Sequence, residues 1–452
     1  MNNSLHDLTQ GSLKSQILRF SLPLMLTNIL QVLFNMSDIA VVGRFAGSAA
    51  LGSVGSTTTL VALFTGVLIG VGSGVNVITA QYVGAKSRRD VEETVHTAAL
   101  ICLIVGLVIL AFGTIFTRVL LELLNTKDEL IDGAALYLRI YFLGMPALAI
   151  YNFGNGVLSA VGDTKKPLYF LALAGVINVL LNLFFVIVCK LDVAGVAIAS
   201  IVSQYISATL IIISLMRSGE MHVLRVRLLR ITASKAKRLL QLGIPAGLQN
   251  AIFQIANLFI QTGVNSFDAV VVEGNSAAAN ADALVYDVMN AIYVACSSFM
   301  GQNYGAHKRD RVMKSYFISL AYSFGAGAIL GLSLVFFGRS FLAIFTTEPE
   351  VIEAGMSRLT IMGLSYAISA FMDCSIAASR GLGKSLVPTI IVILGSCVFR
   401  VIWFYTVFAY FGTITSLYLL YAFSWSITAA AEIAYFARCC KKQLRDIPHQ
   451  AA

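Results

Sequence analysis

A handful of polar side chains interrupts a chain that is otherwise apolar, and their types define the chemistry available to it. Asp38, Asp282, Asp287, Asp373 and Glu432 are carboxylates, Arg400 is a guanidinium, and Asn178, Asn182 and Ser200 add uncharged oxygens. A carboxylate drawn into a partly dry cavity can carry a proton, and with amide and hydroxyl oxygens beside it can ligate Na⁺. Asp38 suits either role, or lies close enough to the end of its apolar run to be a solvated residue or a local hydrogen-bond acceptor. Asn178 and Asn182 are four apart, on one face of a helix. Asp373 and Arg400 fit a buried ion pair that satisfies both charges, or direct contact with a ligand. Asp282 and Asp287 are five apart, on different faces of one helix, and can line a cleft that holds a cationic ligand. Glu432 falls near the end of the last apolar run, at an interface.

The same inventory argues against catalysis. The five histidines, His6, His96, His222, His307 and His449, have no metal-ligand spacing such as H-E-x-x-H. No nucleophile elbow, Walker loop or nucleotide fold is present, so the sequence predicts no enzyme, no cofactor and no direct use of ATP. The seven cysteines lack metal-ligand spacing and read as small core residues.

These side chains need helices to position them. Of 452 residues, 58% are hydrophobic and 12% charged, about half the charge of an ordinary soluble domain. Runs long enough to cross a hydrocarbon core, roughly 20 residues each, are predicted at 17–42, 50–82, 94–117, 133–158, 167–189, 194–216, 239–265, 276–304, 315–338, 352–378, 387–411 and 413–437. The fold class is thus an all-α polytopic membrane protein of about twelve transmembrane helices, in contact with membrane lipids. The net charge of +9 falls on alternate connections: Lys14 and Arg19; Lys86, Arg88 and Arg89; Lys165 and Lys166; Arg217 through Arg238; Lys308, Arg309, Arg311 and Lys314; Arg380 and Lys384; and Arg438 through Arg445. Arg44, Lys127, Lys190, Arg339 and Arg358 are scattered over the other set. The positive-inside rule places both termini in the cytoplasm, in a cell membrane, and explains the basic excess without nucleic acid. The first run, which contains Pro23 and no small-residue cleavage site, reads as a retained span.

The chain is also duplicated. Gln81-Tyr-Val-Gly-Ala-Lys returns as Gln302-Asn-Tyr-Gly-Ala-His, and Gly84 with Gly305, Gly162 with Gly383 and Pro167 with Pro388 are each 221 positions apart. Pro23 and Pro245 open the two halves one residue off that register. The expected organisation is an N-terminal six-helix lobe (1–216), a cytoplasmic basic linker (217–237), a C-terminal six-helix lobe (238–437) and a cytoplasmic tail (438–452). Six spans per half make this a parallel repeat, the plan of secondary transporters powered by ion gradients. Gly66, Gly70 and Gly74, spaced by four, read as a close helix-packing face.

Pro23, Asn35-Met-Ser-Asp38 with Val42-Gly43-Arg44, the two Gln-x-x-Gly-Ala repeats, Gly162-Asp-Thr-Lys-Lys-Pro167 and Gly195-Val-Ala-Ile-Ala-Ser200 resemble the multidrug and toxic compound extrusion (MATE) transporters over essentially the whole chain. The stretch from Arg380-Gly-Leu-Gly to Arg400-Val-Ile-Trp403 is similar to bacterial members. The resemblance implies two lobes forming a V-shaped central cleft and export of amphipathic organic cations by alternating access, coupled to inward H⁺ or Na⁺, by a monomer. It also implies a cation-coupling site of Asp38, Asn178, Asn182 and Ser200, with possible Na⁺ at the first three. The family pattern has an Asp where Asn182 stands and a Thr where Ser200 stands, which weakens Na⁺ binding and favours protonation of Asp38. A second branch uses an acid in the seventh helix and an Asp in the tenth. Asp373 meets the latter, but the seventh span offers Gln249, Gln254, Asn257 and Gln261 instead of an acid. The alternatives are a lipid-linked saccharide flippase or an exporter of an anionic metabolite, for which Arg400 is the supporting residue, and a membrane enzyme.

Overall fold

The computed structural model describes residues 7–445 and 447. His6, His449 and the end of the expected tail lie outside these described residues. Within them the chain is helical throughout: α1 (Leu13–Ala46), α2 (Ser48–Gly84), α3 (Arg88–Leu123), α4 (Asp128–Phe142), α5 (Met145–Ala160), α6 (Lys165–Val188), α7 (Asp192–Met216), α8 (Ala233–Val264), α9 (Ala269–Gly305), α10 (Arg309–Leu342), α11 (Pro349–Gly381), α12 (Leu386–Phe411) and α13 (Ile414–Gln443). Each predicted span falls on one helix, except that 133–158 is divided between α4 and α5, bent by 47°. Ten helices are long and apolar enough to cross a membrane, eleven if the bent pair is one span. The remaining long helix, α8, has 32 residues. Gln249, Asn250, Gln254, Asn257 and Gln261 lower its hydropathy. Exposed side chains such as Ile115 (72%) and Phe336 (76%) suit a hydrocarbon solvent, in which only helices with satisfied backbones are stable here.

The chain folds as two compact units, one built on Leu26–Ala251 and one on Leu8–Met25 with the chain from Ile252 onward. This differs from the division by repeat: the start of α1 counts with the second unit, and α8 as far as Ala251 with the first. In the first unit α2 packs against α3, α4 and α5, and α6 against α7. In the second, α9, α10 and α11 pack together and α11 also lies along α13.

Small residues explain why α8 begins in the first unit. Gly66, Gly70 and Gly74 face Asn250, Gly247 and Gly243: a Cβ at Gly70 would lie 2.1 Å from the Gly247 nitrogen, and one at Gly74 2.8 Å from that of Gly243. Asn250 Nδ2 donates to the Gly66 carbonyl at 3.0 Å. The corresponding layer in the second unit joins Ile17, Phe20 and Leu24 to Ala291, Ala295 and Phe299, again with small residues on the receiving helix.

The repeated motifs are helix endings and docking points. Lys86 and His307 both adopt positive φ, 54° and 55°, where Ser87 N bonds to the Tyr82 carbonyl and Lys308 N to that of Asn303. Gly162 and Gly383 do the same at φ 89° and 83°, the left-handed ending that glycine makes without strain. Gln81 Oε1 accepts from Arg238, and Gln302 Oε1 from the Leu8 amide at 3.2 Å. Each copy of the motif therefore holds the chain near the start of a proline-containing helix, within α8 at Arg238 and before α1 at Leu8. The first turn of α8 is pinned as well: Lys235 Nζ reaches Asp90 Oδ1 at 2.5 Å and lies 3.9 Å from the Tyr82 ring centre.

Gly70→Ala should lower the unfolding midpoint of the purified protein in detergent, because separating two backbones costs about 1–3 kcal/mol as overpacking does. Gly55→Ala, whose Cβ meets nothing within 4 Å, should leave it unchanged. Equal midpoints would refute the glycine contact as the link between α2 and α8.

Candidate functional site

Four of the predicted site residues converge in the first unit. Asp38, on α1, accepts from Asn182 Nδ2 on α6 through Oδ1, and from Ser200 Oγ on α7 through Oδ2 at 3.3 Å. Asn182 Nδ2 also donates to Asn178 Oδ1 at 3.2 Å, the contact that four-residue spacing on a helix provides. Asn182 is fully buried, Asn178 and Ser200 nearly so, while Asp38 is half-buried. Asn182 Oδ1 is a buried acceptor with no donor among the described residues. Both carboxylate oxygens are thus met by donors, with an unused amide oxygen beside them.

Two residues escaped the sequence reading. Tyr137 and Tyr141, on α4, stack with ring centres 5.7 Å apart, and both hydroxyls lie within electrostatic reach of Asp38. Their signal was a pair of aromatic rings with polar tips at i and i+4 within an apolar span.

The backbone is irregular where these side chains sit. A π-helical turn, Val42–Ala46, follows Asp38, and another, Phe184–Val188, follows Asn182. In the second unit Arg400 lies on a single helical turn between the π turns Ile393–Val398 and Phe404–Phe408. Such widenings recur at functional sites.

The repeat offset carries the α1, α6 and α7 trio onto α8, α12 and α13. There Arg400 Nη1 donates to Asn257 Oδ1 at 3.2 Å and Nε to Ser424 Oγ at 3.4 Å. Its guanidinium lies 4.6 Å from the Tyr421 ring centre and 5.5 Å from that of Phe253. Tyr421 and Ser424 are the counterparts of Ser200 and Ser203, 221 positions on. The corresponding trio of helices therefore holds a cation among neutral partners where the first holds a carboxylate, though at a different position of the repeat, since Asp38 falls opposite Phe259 and Arg400 opposite Val179.

Three expectations for the second half are corrected. Arg400 and Asp373 form no ion pair among the described residues; Arg400, 2% exposed, is held by neutral oxygens and aromatic faces. Arg358, assigned from sequence to the scattered connection charges, lies inside α11, 8% exposed. It binds Asp282 Oδ2 through Nη2 at 2.5 Å and Nε at 2.9 Å and Asn275 Oδ1 through Nη1 at 2.6 Å, while Tyr366 donates to Asp282 Oδ1. Asp282 thus neutralises Arg358, whereas Asp287, half-buried, lies about 140° further round α9. Glu432, expected at an interface, is fully buried in the second unit. Sequence spacing along one helix cannot show which neighbouring helix a charge faces.

The MatE family model matches the chain twice, over residues 23–184 and 245–406. The chain belongs to the MatE family. Curated relatives include the probable multidrug resistance protein YpnP of Bacillus subtilis, 30% identical over 80% of this chain and 81% of that one. The FAD transporter of Shewanella oneidensis is 26% identical over 77% and 78%. Among solved structures, a MOP superfamily transporter from Pyrococcus furiosus aligns with a TM-score of 0.90 and 20% identity, covering 98% of this chain and 99% of that one. This MatE chain is accordingly a polytopic membrane protein of a transporter family.

Removing one member of the Asp282–Arg358 pair, as in Asp282→Asn, should destabilise the detergent-solubilised protein by about 3–5 kcal/mol, the usual cost of an uncompensated buried charge. Adding Arg358→Met should recover part of the loss in thermal unfolding. Additive losses would show that the two do not act as a pair.

Proposed function

We propose that this MatE chain is a secondary active exporter of amphipathic organic cations, working by alternating access in exchange for inward H⁺ or Na⁺, in the cell membrane with both termini cytoplasmic. The observation that carries the reading is the Asp38 cluster, in which Asn182 and Ser200 hold the carboxylate within the first unit. Multidrug resistance relatives such as YpnP support the substrate class. Of the two ions the proton is favoured because the cluster holds a single carboxylate, Asn182 offering only a neutral amide beside Asp38. Uptake of a proton or cation at Asp38 breaks these hydrogen bonds between α1, α6 and α7, which couples ion entry to the packing of the unit that contains them.

The test is efflux of cationic dyes from proteoliposomes under separately imposed pH and Na⁺ gradients. Asp38→Asn should cut gradient-driven efflux by about 5- to 150-fold, the range of a coupling free energy of roughly 1–3 kcal/mol. Full efflux by a correctly folded Asp38→Asn protein would refute the assignment.

A second reading, export of an anionic compound, is favoured by Arg400, a buried cation that forms no ion pair among the described residues, and by the FAD transporter among the relatives. In the same proteoliposomes it requires FAD or an anionic dye to be carried, and the transport to be lost in Arg400→Gln.

A further inference from the structure

The basic segment between α7 and α8 is a charged feature that the Asp38 cluster leaves unused. From Arg217 to Arg238 it carries seven Lys or Arg side chains and one acid, Glu220. Most carboxylates around it are already taken: Glu93 on α3 by Arg89 and Arg230, Asp90 by Lys235, while Glu220 lies beside His222. The half-buried Glu92 is the remaining acid on that stretch of α3. Arg225 and Arg227 are exposed and form no ion pair among the described residues.

The segment is nevertheless fixed, because its backbone is tied to α3 at two places. His96 Nε2 accepts from the Arg225 amide at 3.0 Å. Thr97 Oγ1 accepts from the Thr232 amide at 3.0 Å and donates to the Arg230 carbonyl at 3.3 Å. Between these ties one short helical turn, Val226–Leu228, holds its side chains outward: Val226 is 58% exposed, Leu228 44%, and Ile231 just beyond 51%. Three arginines thus alternate with three uncovered apolar side chains on a backbone that is held in place.

The same ties show where the segment lies. His96 and Thr97, both buried, stand immediately before the apolar run of α3 that starts at Ala98. Seven and eleven residues further on, along the same helix faces, come Leu103 and Leu107 after His96, and Ile104 and Val108 after Thr97. All four are exposed, on a helix long and apolar enough to cross a membrane. The segment therefore crosses the lipid-facing side of α3 at the depth where hydrocarbon gives way to headgroups.

We propose that Leu224–Ile231 is a docking surface for the anionic phospholipids of the bilayer that the chain spans. Arg225 and Arg227 bind headgroup phosphates, and Val226, Leu228 and Ile231 enter the interfacial layer beside them. Guanidinium forks match phosphate oxygens, and apolar side chains on a basic strip favour an interface over open water. A segment fixed in advance also loses little freedom on binding. A nucleic acid would use the arginines but leave the three apolar side chains in water. The exporter reading is not needed here; only the leaflet involved rests on the cytoplasmic placement proposed above.

The whole purified protein in neutral detergent is titrated with dioctanoyl phosphatidylglycerol, dioctanoyl phosphatidylcholine or inorganic phosphate, and its thermal unfolding midpoint is followed. Phosphatidylglycerol should raise the midpoint and the other two should not. In the double variant Arg225→Gln/Arg227→Gln the half-saturating phosphatidylglycerol concentration should rise roughly 30-fold, from about 1 kcal/mol per arginine. An unchanged value overturns the proposal, as does an equal effect of inorganic phosphate, which would make the arginines a simple anion site. Tighter binding of an RNA oligonucleotide than of phosphatidylglycerol overturns it in favour of a nucleic acid. In vesicles of phosphatidylglycerol brominated on its acyl chains, the emission that Leu228→Trp adds to that of Trp403 and Trp425 should be quenched. Unquenched emission overturns the insertion of the apolar side chains. None of these readouts uses transport, so they stand or fall apart from the exporter reading.

Discussion

A charge that has left water has to be neutralised, hydrogen-bonded or discharged within the protein, and every interior feature of this chain follows from that requirement. Asp38 meets it with donors from two other helices. Arg358 meets it with Asp282 and a shell of Asn275 and Tyr418 around the pair. Arg400 meets it with neutral oxygens and ring faces, an arrangement open to a planar, delocalised cation and closed to a compact ammonium. Glu432 has no hydrogen-bond partner among the described residues and stands apart.

Duplication supplied two copies of one scaffold, and the copies diverged in charge while keeping their geometry. The trio α1, α6 and α7 holds a carboxylate among amides and a hydroxyl; α8, α12 and α13 hold a guanidinium among an amide, a hydroxyl and a phenol ring. The π turns after Asn182 and Arg400 recur at matching places, so the local widening belongs to the scaffold, and the charge set within it is what each copy chose. Equivalent trios of helices thus enclose charges of opposite sign, set at different positions of the repeat.

The helices that lead each copy are shared out between the compact units. Close approach at Gly70 and Gly247 binds the start of α8 to α2, and the Gln81 and Gln302 motifs anchor the segments that enter α8 and α1. The residues of α1 up to Met25 thus count with one unit, and those from Leu26, Asp38 among them, with the other.

Composition and run length by themselves determined a helical membrane protein, because hydrocarbon leaves few ways to satisfy a backbone. The constant spacing of Gly84, Gly162 and Pro167 to their repeats determined the duplication, and helical periodicity placed Asn178 beside Asn182. Those are local properties, readable along one segment. Tertiary structure alone decided that Arg358 is interior and paired with Asp282, that Arg400 forms no ion pair with Asp373 among the described residues, that Tyr137 and Tyr141 come within electrostatic reach of Asp38, and that Glu432 is buried. The division into units also came only from packing, since the glycine column on α2 shows that something approaches closely but not which helix does. Each of these depends on the rotation and neighbours of a helix within its bundle, which long-range packing sets and no single span records.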